Sequence, residues 1–194
     1  MLGTGRITPF LLLLMVLPGC QMKQEVADVH LELREGWTIQ SSAKVESGGE
    51  GLSQPGFDTT GWHGATVPTT VVRALVDDGT FPDPHDAMNV RDIPGTEYEI
   101  SGNFSLEEMP ETSPFRVPWW YRTEFMLPPE ANGRTVWLRF GGINFKANVW
   151  LNGEPVAVAD EIAGSWRIHD LDVTGAAKVG EANALAVEVF APTP

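Results

Sequence analysis

The sequence lacks most of what a self-contained enzyme site is built from. It has one cysteine, Cys20, so no disulfide can form within the chain. Its four histidines, His30, His63, His85 and His169, include no pair at metal-ligand spacing. A lone histidine in a strand, such as His169, reads as a structural residue. There is no GxSxG, HExxH, CxxC or P-loop, and no cofactor or metal signal. Positive charge is scarce: 13 Lys and Arg stand against 26 Asp and Glu, a formal net charge of −13. That excludes the basic face which nucleic-acid binders need. The acidity is either a solvated surface or an attraction for a cationic ligand such as an amino sugar. No apolar run is long enough to cross a bilayer.

What is present begins with a leader. In MLGTGRITPFLLLLMVLPGC, Arg6 supplies a positive start, residues 10–17 an apolar centre, and Gly19 a small residue before Cys20. This reads as a secretory signal. Its end, LPGC, resembles a bacterial lipobox, which would make Cys20 a lipidated amino terminus after cleavage. The chain is then expected to be exported and held at the bacterial cell envelope, its membrane contact being a lipid anchor. The alternative is a plain secretory signal with a free cysteine near the cut. Residues 21–30 read as a tether and 31–194 as one domain.

That domain reads as all-β. Its 20 Gly and 15 Pro are scattered punctuation, which implies many turns and short strands. Leu31, Leu33, Trp37 and Ile39 alternate with polar residues, as in a half-buried strand. ESGGEGLSQPGFDTTGW reads as a Gly/Ser loop. VPTTVVRALVDDG is the one short helix expected, with Thr69 or Thr70 as cap and Gly79 as left-handed terminator. A long aperiodic stretch follows before Pro118, and a loop of such length is usually functional or disordered. WWYRTEFML, TVWLRFGG, FKANVWLNGEPVAVA, SWRIHDLDVT and NALAVEVF then read as strands. Asn152-Gly153 marks a tight hairpin. The set predicts a jelly-roll β-sandwich.

Within VPWWYRTEF, alternation places Trp120, Arg122, Glu124 and Met126 on one face and Trp119, Tyr121, Thr123, Phe125 and Leu127 on the other. One of the two adjacent tryptophans must face the core. The other faces solvent, a partner domain or a sugar, and counting does not say which. Trp137 and Trp150 are expected on neighbouring strands, packing across the sheet interface. Asp83, Asp86 and Asp92 cluster in the long loop. Carboxylates there could serve glycoside chemistry, although aspartate beside proline is also ordinary turn chemistry.

These strands resemble the amino-terminal sugar-binding domain of glycoside hydrolase family two, a galactose-binding-like jelly roll. The resemblance rests on Trp120-Tyr121-Arg122 with Phe125, then Leu138 to Ile143 (LRFGGI), Val149-Trp150-Leu151-Asn152-Gly153, and DLDVTGAAKVGEANALAVEV. VPTTVVRALVDDGTFPDP and VPWWYRTEF are most similar to the exo-β-D-glucosaminidase and β-mannosidase branch. The resemblance implies a carbohydrate partner of glucosamine or mannose type. It implies catalytic glutamates on a downstream (β/α)8 barrel, so no catalytic residue in this chain, a last jelly-roll segment missing, and a chain inactive alone. Asn89 is the residue implied to reach a sugar, with Asp83 and Trp120 as companion contacts. An independent surface glycan-binding module and a structural adhesin-like sandwich are the rival readings.

Overall fold

The computed structural model describes residues 28–86, 88–95 and 110–192. The leader, Cys20 and most of the tether lie outside the described residues, as does 96–109 of the long loop. The strands are β1 (Trp37–Ser41), β2 (His63–Ala65), β3 (Trp119–Met126), β4 (Trp137–Phe140), β5 (Lys146–Leu151), β6 (Glu154–Ala157), β7 (His169–Asp172) and β8 (Ala182–Phe190). Two short helices accompany them, α1 (Gly49–Leu52) and α2 (Val71–Asp77). A six-stranded sheet has the order β2-β1-β3-β8-β5-β6, and a two-stranded sheet pairs β4 with β7. Every pairing within them is antiparallel.

The alternation of β3 sorts the large sheet into two faces. On the inner face Ile39, Tyr121, Val187 and Val149 form one row across four strands. With Trp37, Trp119, Leu151, Leu185 and Ile162 they make the main core. The β4–β7 sheet and α2 cover this face, which is why Leu138, Phe140, Leu171 and Val71 pack on it. α2 starts where expected: Thr70 accepts a hydrogen bond from the Arg73 amide, and Gly79 follows the helix at φ 80°. Tyr121 donates to the Thr69 carbonyl at 3.4 Å, and burial pushes its phenol up to about 12.

The outer face is covered too, by a third layer drawn from residues 42–62. Trp120, Leu52 and Ala186 are buried there, with Val45, Phe57, Trp62 and Trp150 against them. The stretch expected to be a plain Gly/Ser loop thus contains α1. Its glycines are poor helix formers, and packing holds the turn instead. A Cβ on Gly49 would lie 2.1 Å from the Trp150 ring, so only glycine lets the helix sit on that indole. Buried Arg122 clamps the layer to the sheet. It donates to the Leu52 carbonyl at 2.8 Å and the Gln54 carbonyl at 2.9 Å, pairs with Glu124, and lies over the Phe57 ring.

Two other expectations change. Leu31 and Leu33 belong to no strand; β1 begins only after Gly36, whose φ of 76° breaks the extended run. Trp137 and Trp150 do not pack together, because both point away from the space between the sheets: Leu138 and Phe140 are the β4 residues that face the core, and Trp150 lies on the outer face of the large sheet. Trp150 packs on Trp120 at 5.4 Å between ring centres, whereas Trp137 is 60% exposed.

Candidate functional site

One end of the sandwich gathers the long loops. The start of β3, the end of β8 and the start of β5 lie side by side, with Trp119 opposite Val189 and Lys146 opposite Phe190. Residues 110–118 lead into this end through β3 and residues 141–145 through β5. The loop before β7 joins them: the Gly164 amide donates to the Phe145 carbonyl at 3.0 Å, and the Ser165 hydroxyl to Asn144 Oδ1 at 2.8 Å.

The segment carrying Asp83 and Asn89 is clasped at both ends. Phe81 meets Phe115 edge-on at 6.3 Å, and Phe115 stacks on Trp119 at 6.4 Å. Trp119 Nε1 donates to the Pro114 carbonyl at 3.0 Å, which orients its ring. At the far end Gly95, with φ 83°, lies so close to Ser113 that a Cβ would stand 2.5 Å from its hydroxyl oxygen. Between these clasps Asp83 Oδ1 accepts from the His85 amide at 2.9 Å, an aspartate turn. Its charge also adds to that of Asp77 in holding the Arg73 guanidinium above its ordinary pKa, with the Asp77 hydrogen bond the larger cause. Asn89 opens a short 3-10 turn, Asn89–Asp92, and is half-buried. Its side-chain amide makes no hydrogen bond among the described residues.

The root of this loop is polar. The His63 ring donates from Nδ1 to Asp78 Oδ2 at 2.6 Å, and the Thr80 amide donates to Asp78 Oδ1 at 2.9 Å. Burial pushes the Asp78 carboxyl up, but hydrogen bonds from Thr80 and His63 outweigh it and hold the group below the ordinary aspartate range.

Trp120 does not join Asp83 and Asn89. It is 4% exposed and faces the third layer, on the opposite side of the sheet from Trp119. The expectation that the second tryptophan looks out at solvent, a partner domain or a sugar fails because residues 42–62 fold back over it. The ring that meets the loop is Trp119, through Phe115. No sequence signal linked Phe81, Phe115 and Trp119, because their contact is tertiary. Asp92 is exposed, and no three His, Cys, Asp or Glu side chains converge to hold a metal among the described residues. His169 sits on the inner side of β7, 8% exposed, its Nε2 without a hydrogen-bond partner among the described residues. Its position is that of a structural residue, on the core side of β7.

The opposite end of the sandwich is closed by short turns. A shallow depression of about 550 Å³ lies there, lined by residues 131–136, Thr174, Ala177 and Val179. It carries one charged side chain, Arg134, and no carboxylate.

The fold and its loop-rich end have counterparts among known proteins. The family model described as glycosyl hydrolase 2 galactose-binding domain-like matches residues 37–193. An exo-β-D-glucosaminidase of Amycolatopsis orientalis is 35% identical over 82% of this chain, a match that takes in 13% of that protein's length. The crystal structure of the exo-chitosanase of the same organism superposes with a TM-score of 0.67 at 34% identity, covering 82% of this chain and 16% of that one. A mannosylglycoprotein endo-β-mannosidase of Lilium longiflorum is more distant, at 27% identity over 82% of this chain and 15% of its own length. With a matched model that spans both sheets, the chain belongs to the galactose-binding domain-like family of glycosyl hydrolase 2.

Proposed function

We propose that this chain is the carbohydrate-binding, supporting domain of a longer exported glycosidase of exo-β-D-glucosaminidase type. The observation that carries the reading is the likeness to the exo-chitosanase, 34% identical and with a TM-score of 0.67 over 82% of this chain. That match takes in only 16% of the exo-chitosanase chain, which leaves the chemistry to the remainder. In the whole protein the loop-rich end would wall one side of the subsite for the terminal amino sugar, against a catalytic barrel that supplies both carboxylates. The half-buried amide of Asn89, without a hydrogen bond among the described residues, and the exposed carboxylate of Asp83 are the polar contacts on offer. Both chemistries suit the substrate class: an amide bonds ring hydroxyls, and a carboxylate attracts the ammonium of glucosamine. Cys20, lipidated, would hold the protein at the cell envelope.

The test is the size of the native product. An antibody to this domain should detect, in the envelope fraction, a band several times larger than the 21.2 kDa of this chain. The gene should read on past the codon for Pro194. A stop codon there, with a band at or slightly below 21.2 kDa, would remove the glycosidase reading and leave an independent glycan-binding module.

A further inference from the structure

The sequence contains two Asn-Gly pairs, Asn132-Gly133 and Asn152-Gly153. Such a pair carries a reaction of its own. Glycine has no side chain to shield its amide nitrogen, and that nitrogen can attack the side-chain carbonyl carbon of the preceding asparagine. The two atoms must first be free to meet, and the fold treats the two pairs differently.

Asn152 is held by both ends of its side chain. Its Nδ2 donates to the Ala176 carbonyl at 2.8 Å and to Asn183 Oδ1 at 2.7 Å, and its Oδ1 accepts from the Ala184 amide at 2.9 Å. The Gly153 nitrogen is occupied as well, donating to Ser53 Oγ at 2.9 Å. Neither group reaches the other without breaking bonds to distant parts of the chain. Asn132 stands outside that network, on the connection from β3 to β4. Asn132 and Gly133 are both exposed. The Asn132 side chain and the Gly133 amide make no hydrogen bond among the described residues. The tight turn around them is closed by one backbone bond, from the Arg134 amide to the Ala131 carbonyl at 3.1 Å. Attack requires the Asn132 ψ of 130° to rotate, which gives up that bond. The space is open: no atom lies within 4 Å of where a Gly133 Cβ would stand.

We propose that Asn132 is a site of spontaneous backbone modification through a succinimide, and that the fold protects Asn152 from the same reaction. The Gly133 amide nitrogen loses its proton to solvent and bonds to Asn132 Cγ. The bond from Cγ to Nδ2 breaks, and the nitrogen leaves as ammonia. Water then opens the five-membered ring at either carbonyl, leaving aspartate or isoaspartate at position 132. The sum is amide plus water to carboxylate plus ammonium, with no oxidant or cofactor. Either product puts a carboxylate into the depression at the turn end, which Asn132 lines and which otherwise holds none. Isoaspartate also lengthens the backbone of the turn by one carbon.

The experiment is to incubate the purified chain in warm, mildly alkaline buffer, with and without urea, and to follow both peptides by mass spectrometry after digestion. In the folded protein the Asn132 peptide should exchange amide for carboxylate at least about tenfold faster than the Asn152 peptide, because Asn152 must first break several bonds of about 1 kcal/mol each. In urea the two should convert at comparable rates. Isoaspartate, detected by enzymatic methylation, should accumulate in the folded parent and be lost in Asn132→Gln, whose longer side chain closes the ring poorly. Equal rates in the folded protein, an Asn132 peptide that stays unchanged, or slow conversion of Asn152 even in urea would overturn the proposal. So would an isoaspartate signal that persists in Asn132→Gln.

Discussion

The two ends of the sandwich are built on opposite terms. At the turn end, side chains are consumed by the fold. Asn183, fully buried, donates to the Lys178 and Glu181 carbonyls and accepts from the Lys178 amide and from Asn152. Asn152 also takes the Ala184 amide, and the Gly153 amide donates to Ser53 Oγ at 2.9 Å. At the loop end the backbone is tied where Trp119 holds the Pro114 carbonyl and Gly164 the Phe145 carbonyl, yet among the described residues the Asn89 amide makes no hydrogen bond and the Trp166 indole is exposed. Where a fold satisfies its polar groups and covers its rings, the residues serve stability. Where it fixes the backbone and still leaves side chains unspent, they are available to a ligand.

The largest expected effect sharpens the turn end. Asn183→Ala would leave two carbonyls and an amide without this partner and remove one of the bonds of the Asn152 side chain, which keeps Ala176 and Ala184. We expect a loss of about 2–4 kcal/mol of stability in urea denaturation, since a fully buried side chain is truncated and several part-buried hydrogen bonds of about 1 kcal/mol each are lost. A loss below about 1 kcal/mol would mean that the turn end is not a closed network. Gly153→Ala comes next. The residue sits at φ 91°, and a Cβ would stand 2.2 Å from Gln54 Nε2, a flexible tip that can move. The backbone penalty remains, so a loss of about 1–2 kcal/mol is expected. An unchanged midpoint would show the hairpin able to adopt another turn. The smallest effect concerns the root of the loop end. Asp78 has a lowered pKa when folded, so its contribution is complete above the ordinary carboxylate range and disappears as pH falls through it. Urea midpoints measured from pH 6 to pH 3 should fall less steeply below about pH 4 for Asp78→Asn than for the parent. Parallel curves would show that His63 and Thr80 do not hold the loop through this carboxylate.

Much of the turn end was legible from sequence because its causes are local. Asn152-Gly153 adopts positive φ at both positions and closes a two-residue hairpin, as its residue types require. The alternation of β3 was equally plain, and so was the cap of α2. What the two tryptophans do was not legible. Parity separates Trp119 from Trp120, but both faces of this sheet are covered, and the cover on one side is a glycine-rich segment without helical propensity. Trp137 went astray for a related reason: which side of β4 faces the large sheet depends on its pairing with β7, about thirty residues later, and not on its own pattern. At the loop end the segment bearing Asp83 and Asn89 was recognisable. Its clasp through Phe81, Phe115 and Trp119 was not, nor was the exposure of Trp166, since neither follows from neighbours in the chain.

The clamp on the third layer has a consequence for the order of assembly. The bonds that seat residues 49–57 reach far along the chain: Gly56 to Glu124 and Gln54 to Arg122 each span 68 residues, Leu52 to Arg122 spans 70, and Ser53 to Gly153 spans 100. None can form until β3 and the β5–β6 hairpin exist, and closing such loops is entropically slow. A segment made early by the ribosome must therefore wait, with Leu52 and Phe57 uncovered, until most of the domain has been synthesised. Its full seating cannot precede synthesis of the β5–β6 hairpin, which supplies the Gly153 amide.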